Sequence, residues 1–425
     1  QPPNGLVNLQ LLGLDTNRAL RSSTGNSFAS DNGVSVISRN VADPDKGLIS
    51  YIASDYNTGW MPGDIKLATL SDTDTTTPAS TNLVTNGTFA SASNWTQIAG
   101  SSTAITGGAM VFTNGGGYGG FYQSLGALTA GKSYTLSFDV TSFTTAGAVF
   151  TLADTAFGVS FSGTGSYSFV TAPIVGSDPY IRLYATAGGA FTIDNVSVVV
   201  AESDRSVNGN GLQVFGTLSK DPVATGADLV GYSGFSTSNY LQQPYNADLN
   251  FGTGDFSFSG WFYSTSVTSQ GLFSRVAEGL GGTQSGFAMN TAGSGVLGWA
   301  MYTTGLHSSG RTNCGFGFTP AVNVWNHIVA MRKSGVMYLY LNTALDTNLV
   351  PANTDNITDT SNSPALKVGI LANGGSPATA TKMALWRISA TAPSEEQIKK
   401  MYNDEKHLFQ TNAKATLYGT SNNPS

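Results

Sequence analysis

The polar and apolar positions of this chain alternate in short runs with a period of two, and Gly, Asn or Ser separate the runs. KSYTLSFDV (132–140) is the clearest, with Tyr134, Leu136, Phe138 and Val140 on one face. AVFTLAD, GSYSFVTA, PYIRLYA and FTIDNVSVVV follow it at the spacing of short antiparallel strands. With NLVTNGTF at 82–89 they outline a sandwich over residues 81–200. A second series runs through 201–392 and includes FSFSGWFYS, GLFSRV, GFAMN, GVLGWAMY, VWNHIVAMRK, VMYLYLN, PALKVGILA and KMALWRISA. The triplet SGV (334–336) between two of these strands predicts a hairpin turn.

Residues 1–80 carry a weaker pattern. GVSVIS (33–38) and GLISYIA (47–53) read as strands, and GWMPGDIKLATLSD (59–72) reads as a turn followed by a strand. SDTDTTTPAST (71–81) is polar, aperiodic and contains Pro, which predicts a linker. One segment, APSEEQIKKMYNDEKHLF (392–409), has helical periodicity, with Ile398, Met401 and Tyr402 on one stripe. Ser394 and Gln397 have the spacing of a capping box, Glu395 and Glu396 suit the positive end of the helix dipole, and Lys406 suits the negative end. KATLYGTS after the helix reads as a further strand in region 393–425. With no partner in view, it suggests a chain that continues beyond Ser425. The fold class expected is all-β: tandem antiparallel sandwiches, an N-terminal β segment and one C-terminal helix.

Composition narrows the function. Charged residues make up 11% of the 425, the formal net charge is −6, and there is no long basic run. That excludes the clustered cations that nucleic-acid binding requires. No apolar run reaches the ~20 residues of a membrane-spanning helix, so no membrane insertion is expected. QPPNGLVNLQ lacks the basic and apolar regions of a signal peptide, which fits a processed start or a piece of a longer protein. A single cysteine, Cys314, rules out an intramolecular disulfide and a cysteine-ligated zinc. In TNCGFGF it reads as a small buried residue or, alternatively, a reactive thiol.

The sequence shows no motif of a known catalytic constellation, although sequence order alone leaves a Ser/His/Asp triad open. The three histidines, His307, His327 and His407, have no metal-ligand spacing, and there is no GxSxG motif. Glu202 and Glu278 are isolated, whereas glycoside cleavage needs two carboxylates ~5–10 Å apart. NGGGYGG (114–120) lacks the strand and helix that frame a phosphate-binding loop. Sugar binding is the chemistry that remains, because pyranose C–H faces stack on aromatic rings while their hydroxyls seek amides and carboxylates. Candidates in the first sandwich are Trp95, Tyr118, Phe121 and Tyr122, of which Trp95 and Phe121 also suit a core. In the second sandwich, Trp299 and Tyr302 lie three apart on one strand, so at least one should be buried.

Two segments resemble known families. NLVTNGTF…SNW (82–95) with FTIDNVSVVV (191–200) resembles the carbohydrate-binding modules attached to xylanases and glucanases, which are jelly rolls. That resemblance implies a structural calcium (Ca2+) held by Asp194 and Asn86, although Thr85 stands where the family carries an early acidic residue. GDFSFSGWFYS, VWNHIVAMRKSGVMYLYLN and KMALWRISATAPSEEQIKKMY resemble, in that order, the laminin-G-like, concanavalin-like lectin sandwiches, where His327 is a packing residue. The order of modules resembles tail-fibre or tail-associated virion proteins of marine tailed bacteriophages, with GVSVIS and ATLYGTS as remnants of propeller-like repeats. It implies a non-catalytic, homo-oligomeric protein on the virion surface whose partners are bacterial cell-surface glycans and other virion proteins. The alternatives are an architectural protein without sugar binding, or the binding modules of a secreted glycan-active enzyme.

Overall fold

The computed structural model describes residues 34–38, 48–52, 64–75, 81–98, 103–113, 119–126, 128–129, 132–145, 147–153, 155–157, 161–171, 174, 176, 178–186, 188–206, 208–276, 285–303, 310–359 and 364–417. The chain forms two compact units. One takes Ala79–Ser203 and Asn210–Gln213, and the other takes the chain up to Pro78, Asp204–Gly209 and Val214 onward. In chain order, one sandwich is thus interrupted by the other. The all-β class holds, with one α-helix, near the C-terminus, among the described residues.

Among the described residues three strands precede the interruption: β1 (Val34–Ser38), β2 (Leu48–Ile52) and β3 (Ile65–Thr69). β1 and β2 pair antiparallel. β3 is an integral strand of the second sandwich and carries core residues Ile65, Leu67 and Ala68. The Ala68 amide donates to Asp204 Oδ1 at 2.8 Å and its carbonyl accepts from the Arg205 amide at 2.7 Å, which fastens the strand on its other flank. The predicted linker begins later than 71, because Asp72 Oδ2 lies 2.7 Å from Lys220 Nζ and the Asp72 carbonyl accepts from the Val230 amide. Residues 76–80 lie outside the described residues.

The interrupting unit is a two-sheet sandwich. Its strands are β4 (Thr96–Gln97), β5 (Ala104–Thr106), β6 (Ala109–Phe112), β7 (Gly119–Ser124), β8 (Tyr134–Thr145), β9 (Ala148–Leu152), β10 (Thr155–Phe157), β11 (Gly165–Val170), β12 (Tyr180–Ala185) and β13 (Ala190–Val200). One sheet has the order β10-β9-β12-β7-β4 and the other β11-β8-β13-β6-β5. Tyr134, Leu136, Phe138 and Val140 all point inward, as their alternation predicts. Phe138 meets Phe150 edge-on at 5.2 Å, joining the two sheets. In β13 the inward set shifts from Phe191 and Ile193 to Val196 and Val198. A bulge at Asn195 (φ 52°) causes the shift, since one extra residue moves every later side chain to the opposite face.

The second unit continues with β14 (Gln213–Phe215), β15 (Ser219–Pro222), β16 (Val230–Ser233), β17 (Tyr240–Gln243), β18 (Phe256–Ser264), β19 (Gln270–Arg275), β20 (Gly286–Thr291), β21 (Leu297–Tyr302), β22 (Arg311–Phe318), β23 (Trp325–Lys333), β24 (Val336–Leu341), β25 (Ala344–Leu345), β26 (Leu366–Val368) and β27 (Thr381–Ser389). The sheet orders are β14-β17-β26-β19-β20-β21-β22 and β15-β16-β27-β18-β23-β24-β25, with β3 added against β27. Phe258 of one sheet packs on Phe273 and Phe287 of the other at 4.8 and 4.4 Å. Gly260 is required where Trp386 crosses its strand, since a Cβ there would lie 2.5 Å from the indole. Ser334 and Gly335, both at positive φ, form the predicted hairpin turn between β23 and β24.

The helix α1 (Glu395–Glu405) starts at the predicted capping box. The Gln397 amide donates to Ser394 Oγ at 3.2 Å, and the Ser394 amide donates to Gln397 Oε1 at 2.8 Å. Ile398 and Met401 are buried beneath it, and a short 3-10 turn follows over Lys406–Phe409. The closing strand β28 (Lys414–Leu417) has a partner: it lies parallel to β2. The two stretches that resemble propeller remnants therefore share one three-stranded sheet, β1-β2-β28.

Candidate functional site

The outward face of the β10-β9-β12-β7-β4 sheet carries the candidate site. Alternation along β12 turns Ile181, Leu183 and Ala185 into the core and leaves Tyr180, Arg182 and Tyr184 half-exposed. On β7, Phe121 points in and Tyr122 points out. Register then lines up Thr96, Tyr122, Arg182 and Thr151 in one row across four strands. At its end lies a cleft of about 370 Å³ lined by Thr85, Asn94, Thr96, Tyr122, Gln123, Ser124 and Tyr180.

The polar groups of this cleft differ in whether they are already engaged. Gln123 is spent: its Oε1 accepts from the Thr85 amide at 2.7 Å and its Nε2 donates to the Thr85 carbonyl at 2.8 Å. That clamp fixes the chain entering the sheet against β7. The side chains of Thr85, Asn94, Thr96, Ser124, Tyr122 and Tyr180 make no hydrogen bond among the described residues. Tyr122 and Tyr180 stand edge to face with centroids 5.5 Å apart, which holds both rings upright at the cleft wall. Three aliphatic hydroxyls, an amide and a phenol pair flanked by ring surface can exchange hydrogen bonds with a polyhydroxylated ligand and stack on its C–H face.

Of the residues singled out in the sequence, Tyr122 alone lies in this cleft. Tyr118 lies outside the described residues. Trp95 is buried (6% exposed): its Nε1 donates to the Asn86 carbonyl at 3.1 Å and its ring packs on Phe89 at 5.4 Å. Trp299 is 1% exposed and donates to the Tyr338 carbonyl at 3.1 Å. Neither indole presents a face to a ligand, so both leave the candidate glycan set. Tyr302 is also buried although it points away from Trp299, because Val276, Ala288, Ala300, Leu371 and Ala372 cover that face of the sheet. Tyr180, Asn94 and the hydroxyl residues went unnoticed in the sequence. The period of PYIRLYA marks the outward face of Tyr180, but only register places it beside Tyr122, 58 positions earlier.

Asn86 and Asp194, the residues of the calcium expectation, already make hydrogen bonds of their own. The Asn86 side-chain amide donates to the carbonyls of Ser91 and Ser93, so it is turned into its own loop. Asp194 Oδ1 accepts from the Asn195 amide, and the two residues share no hydrogen-bond partner. Among the described residues no group of three His, Cys, Asp or Glu could hold an ion. Opposite Asp194 stands Asp139, whose carboxyl is held below its usual range by hydrogen bonds from Ser166 and Asn195. A general acid for glycoside cleavage needs the reverse shift.

A second aromatic and charged cluster lies under α1. Glu405 is fully buried; its Oε1 is 2.7 Å from Arg387 Nη1, and its Oε2 accepts from Trp261 Nε1 at 2.5 Å. Burial pushes the Glu405 carboxyl up, while Arg387 and Trp261 act against that rise. Phe409 and Tyr402 stack on Trp261 at 4.4 and 5.6 Å, and the His327 ring lies 5.1 Å from it. Burial, with Arg387 nearby, depresses His327 to about 3, so it is a neutral packing residue. His407 lies in the 3-10 turn, and His307 lies outside the described residues. Cys314 is buried and its thiol is pushed up to about 12, which makes it unreactive. No helix among the described residues is long and apolar enough to cross a membrane.

No curated protein matches the chain. Among solved structures it is similar to the receptor-binding domain of botulinum neurotoxin C/D mosaic serotype, at 13% identity and a TM-score of 0.35 over 50% of this chain and 52% of that one. It is also similar to the binding domain of botulinum neurotoxin serotype D, at 14% identity and a TM-score of 0.36 over 48% and 49%. The chain spans about half the length of each. Residues 235–399, which run from the segment before β17 into α1, match the family model of the concanavalin A-like lectin/glucanases superfamily, laminin G type.

Proposed function

We propose that this chain is a non-catalytic glycan-binding protein whose contact surface is the Tyr122–Tyr180 cleft of the interrupting sandwich. One observation carries the reading: a cleft of sugar size in which the Tyr122 and Tyr180 rings adjoin four side chains with uncommitted hydrogen-bonding groups. The lectin-type fold of residues 235–399 supports the same class of function. The test is a glycan array probed with the full chain and with Tyr122→Ala. Binding that the variant loses supports the reading, and no binding to any glycan overturns it.

The finer placement is on a bacteriophage tail facing bacterial envelope glycans. It rests on the order of modules in the sequence. A shallow cleft binds weakly alone, so display in several copies would supply avidity. Mass spectrometry of purified particles tests this placement, and absence of the chain from them rules it out.

A further inference from the structure

Arg182 stands directly opposite Tyr122 in the register and beside the cleft, where a free guanidinium would attract carboxylated or sulfated sugars. It is not presented that way. Nη1 and Nη2 donate to Asp178 Oδ1 and Oδ2 at 3.3 and 3.1 Å, a two-point pairing that spends the charge. The same guanidinium lies 5.2 Å from the centre of the Tyr180 ring, and Asp178 Oδ1 also accepts from the Tyr180 amide at 2.9 Å. Asp178 therefore fixes a cleft-wall ring and cancels the neighbouring cation together. The charge balance of the surrounding unit disfavours anions. Residues 79–203 hold two basic residues, Lys132 and Arg182, against five acidic ones, Asp139, Asp154, Asp178, Asp194 and Glu202.

We infer that Asp178 is the specificity-determining residue of the cleft: by holding Arg182 it admits uncharged saccharides and excludes acidic ones. This rests on the glycan-binding reading above. Removing the carboxylate charge should release Arg182 toward the cleft. Asparagine at 178 keeps an oxygen for the Tyr180 amide, so the wall itself is preserved.

The experiment compares neutral hexose and pentose oligosaccharides with uronic-acid oligosaccharides on immobilised arrays, at low and high salt. It uses the full chain and the variants Asp178→Asn, Arg182→Gln and Asp178→Asn/Arg182→Gln. The native chain should bind neutral probes with little salt dependence. Asp178→Asn should gain about tenfold in affinity for uronic probes at low salt and lose the gain at high salt. The double variant should not gain, which separates charge release from a general loosening of the wall. Salt-sensitive uronic binding by the native chain would overturn the inference and leave the glycan reading standing. So would an Asp178→Asn variant that keeps neutral binding without acquiring uronic binding. A native chain that binds neither class would overturn both.

Discussion

The Tyr122 cleft and the Trp261 cluster contain similar chemistry and do opposite things. Each combines aromatic rings in contact with polar side chains and an arginine–carboxylate pair. Under α1 the pair is sealed: Arg387 and Glu405 are 1% and 0% exposed, and Trp261 spends its indole N–H on the carboxylate. At the cleft the rings are half-exposed, the pair is partly solvated, and four neighbouring side chains, Thr85, Asn94, Thr96 and Ser124, make no hydrogen bond among the described residues. Aromatic and polar composition does not by itself mark a site. Solvent access and uncommitted donors and acceptors do, and both depend on which face of a strand is covered.

This contrast can be broken at several points. The largest effect expected is on acid stability. The folded-state pKa of His327, about 3, lies below its unfolded value of 6.5, so unfolding takes up a proton between these values. Its contribution is fully present above pH 6.5 and is lost as pH falls toward 3, by up to about 5 kcal/mol. Glu405, with its raised pKa, acts in the opposite sense. Urea melts of the native chain and His327→Gln from pH 7 to 4 isolate the histidine, and the variant should show the flatter profile.

Removing Glu405 alone, as Glu405→Ala, should cost about 3–5 kcal/mol by leaving Arg387 buried without its counter-charge. Denaturant titration checks this, with glycan binding at the Tyr122 cleft unchanged in native buffer. Tyr122→Ala should reverse that pattern, losing about tenfold in glycan affinity, ~1.4 kcal/mol, with a near-native denaturation midpoint. Ser394→Ala should cost about 1 kcal/mol by removing the cap of α1. Calcium should leave the melting temperature unchanged, and a calcium-dependent rise would show that Asp194 and Asn86 join an ion site after all.

The sequence made strands and the helix legible wherever side-chain period alone decides them. KSYTLSFDV, the SGV turn and the Ser394–Gln397 box all appear where their local chemistry puts them. The misreadings come from long-range pairing. β3 joins β27 across more than 300 residues, and β28 finds its partner in β2. No local pattern carries those pairings. Burial misled in a related way: Trp95 and Trp299 look like sugar platforms by residue type, but each indole reaches a backbone carbonyl inside the fold. The burial of Glu405 comes from Arg387, which meets it from a strand 18 positions earlier in the chain. At the cleft, alternation marks Tyr122 and Tyr180 as outward, while their adjacency depends on the β7–β12 register.

The central claim is that the open cleft, and not the sealed aromatic cluster, binds sugar. It is tested most directly by measuring the affinity of the full chain for its best array glycan alongside Tyr122→Ala, Tyr180→Ala and Tyr402→Ala. The first two variants should lose affinity and the third should keep it. Retention of binding by both cleft variants would contradict the claim.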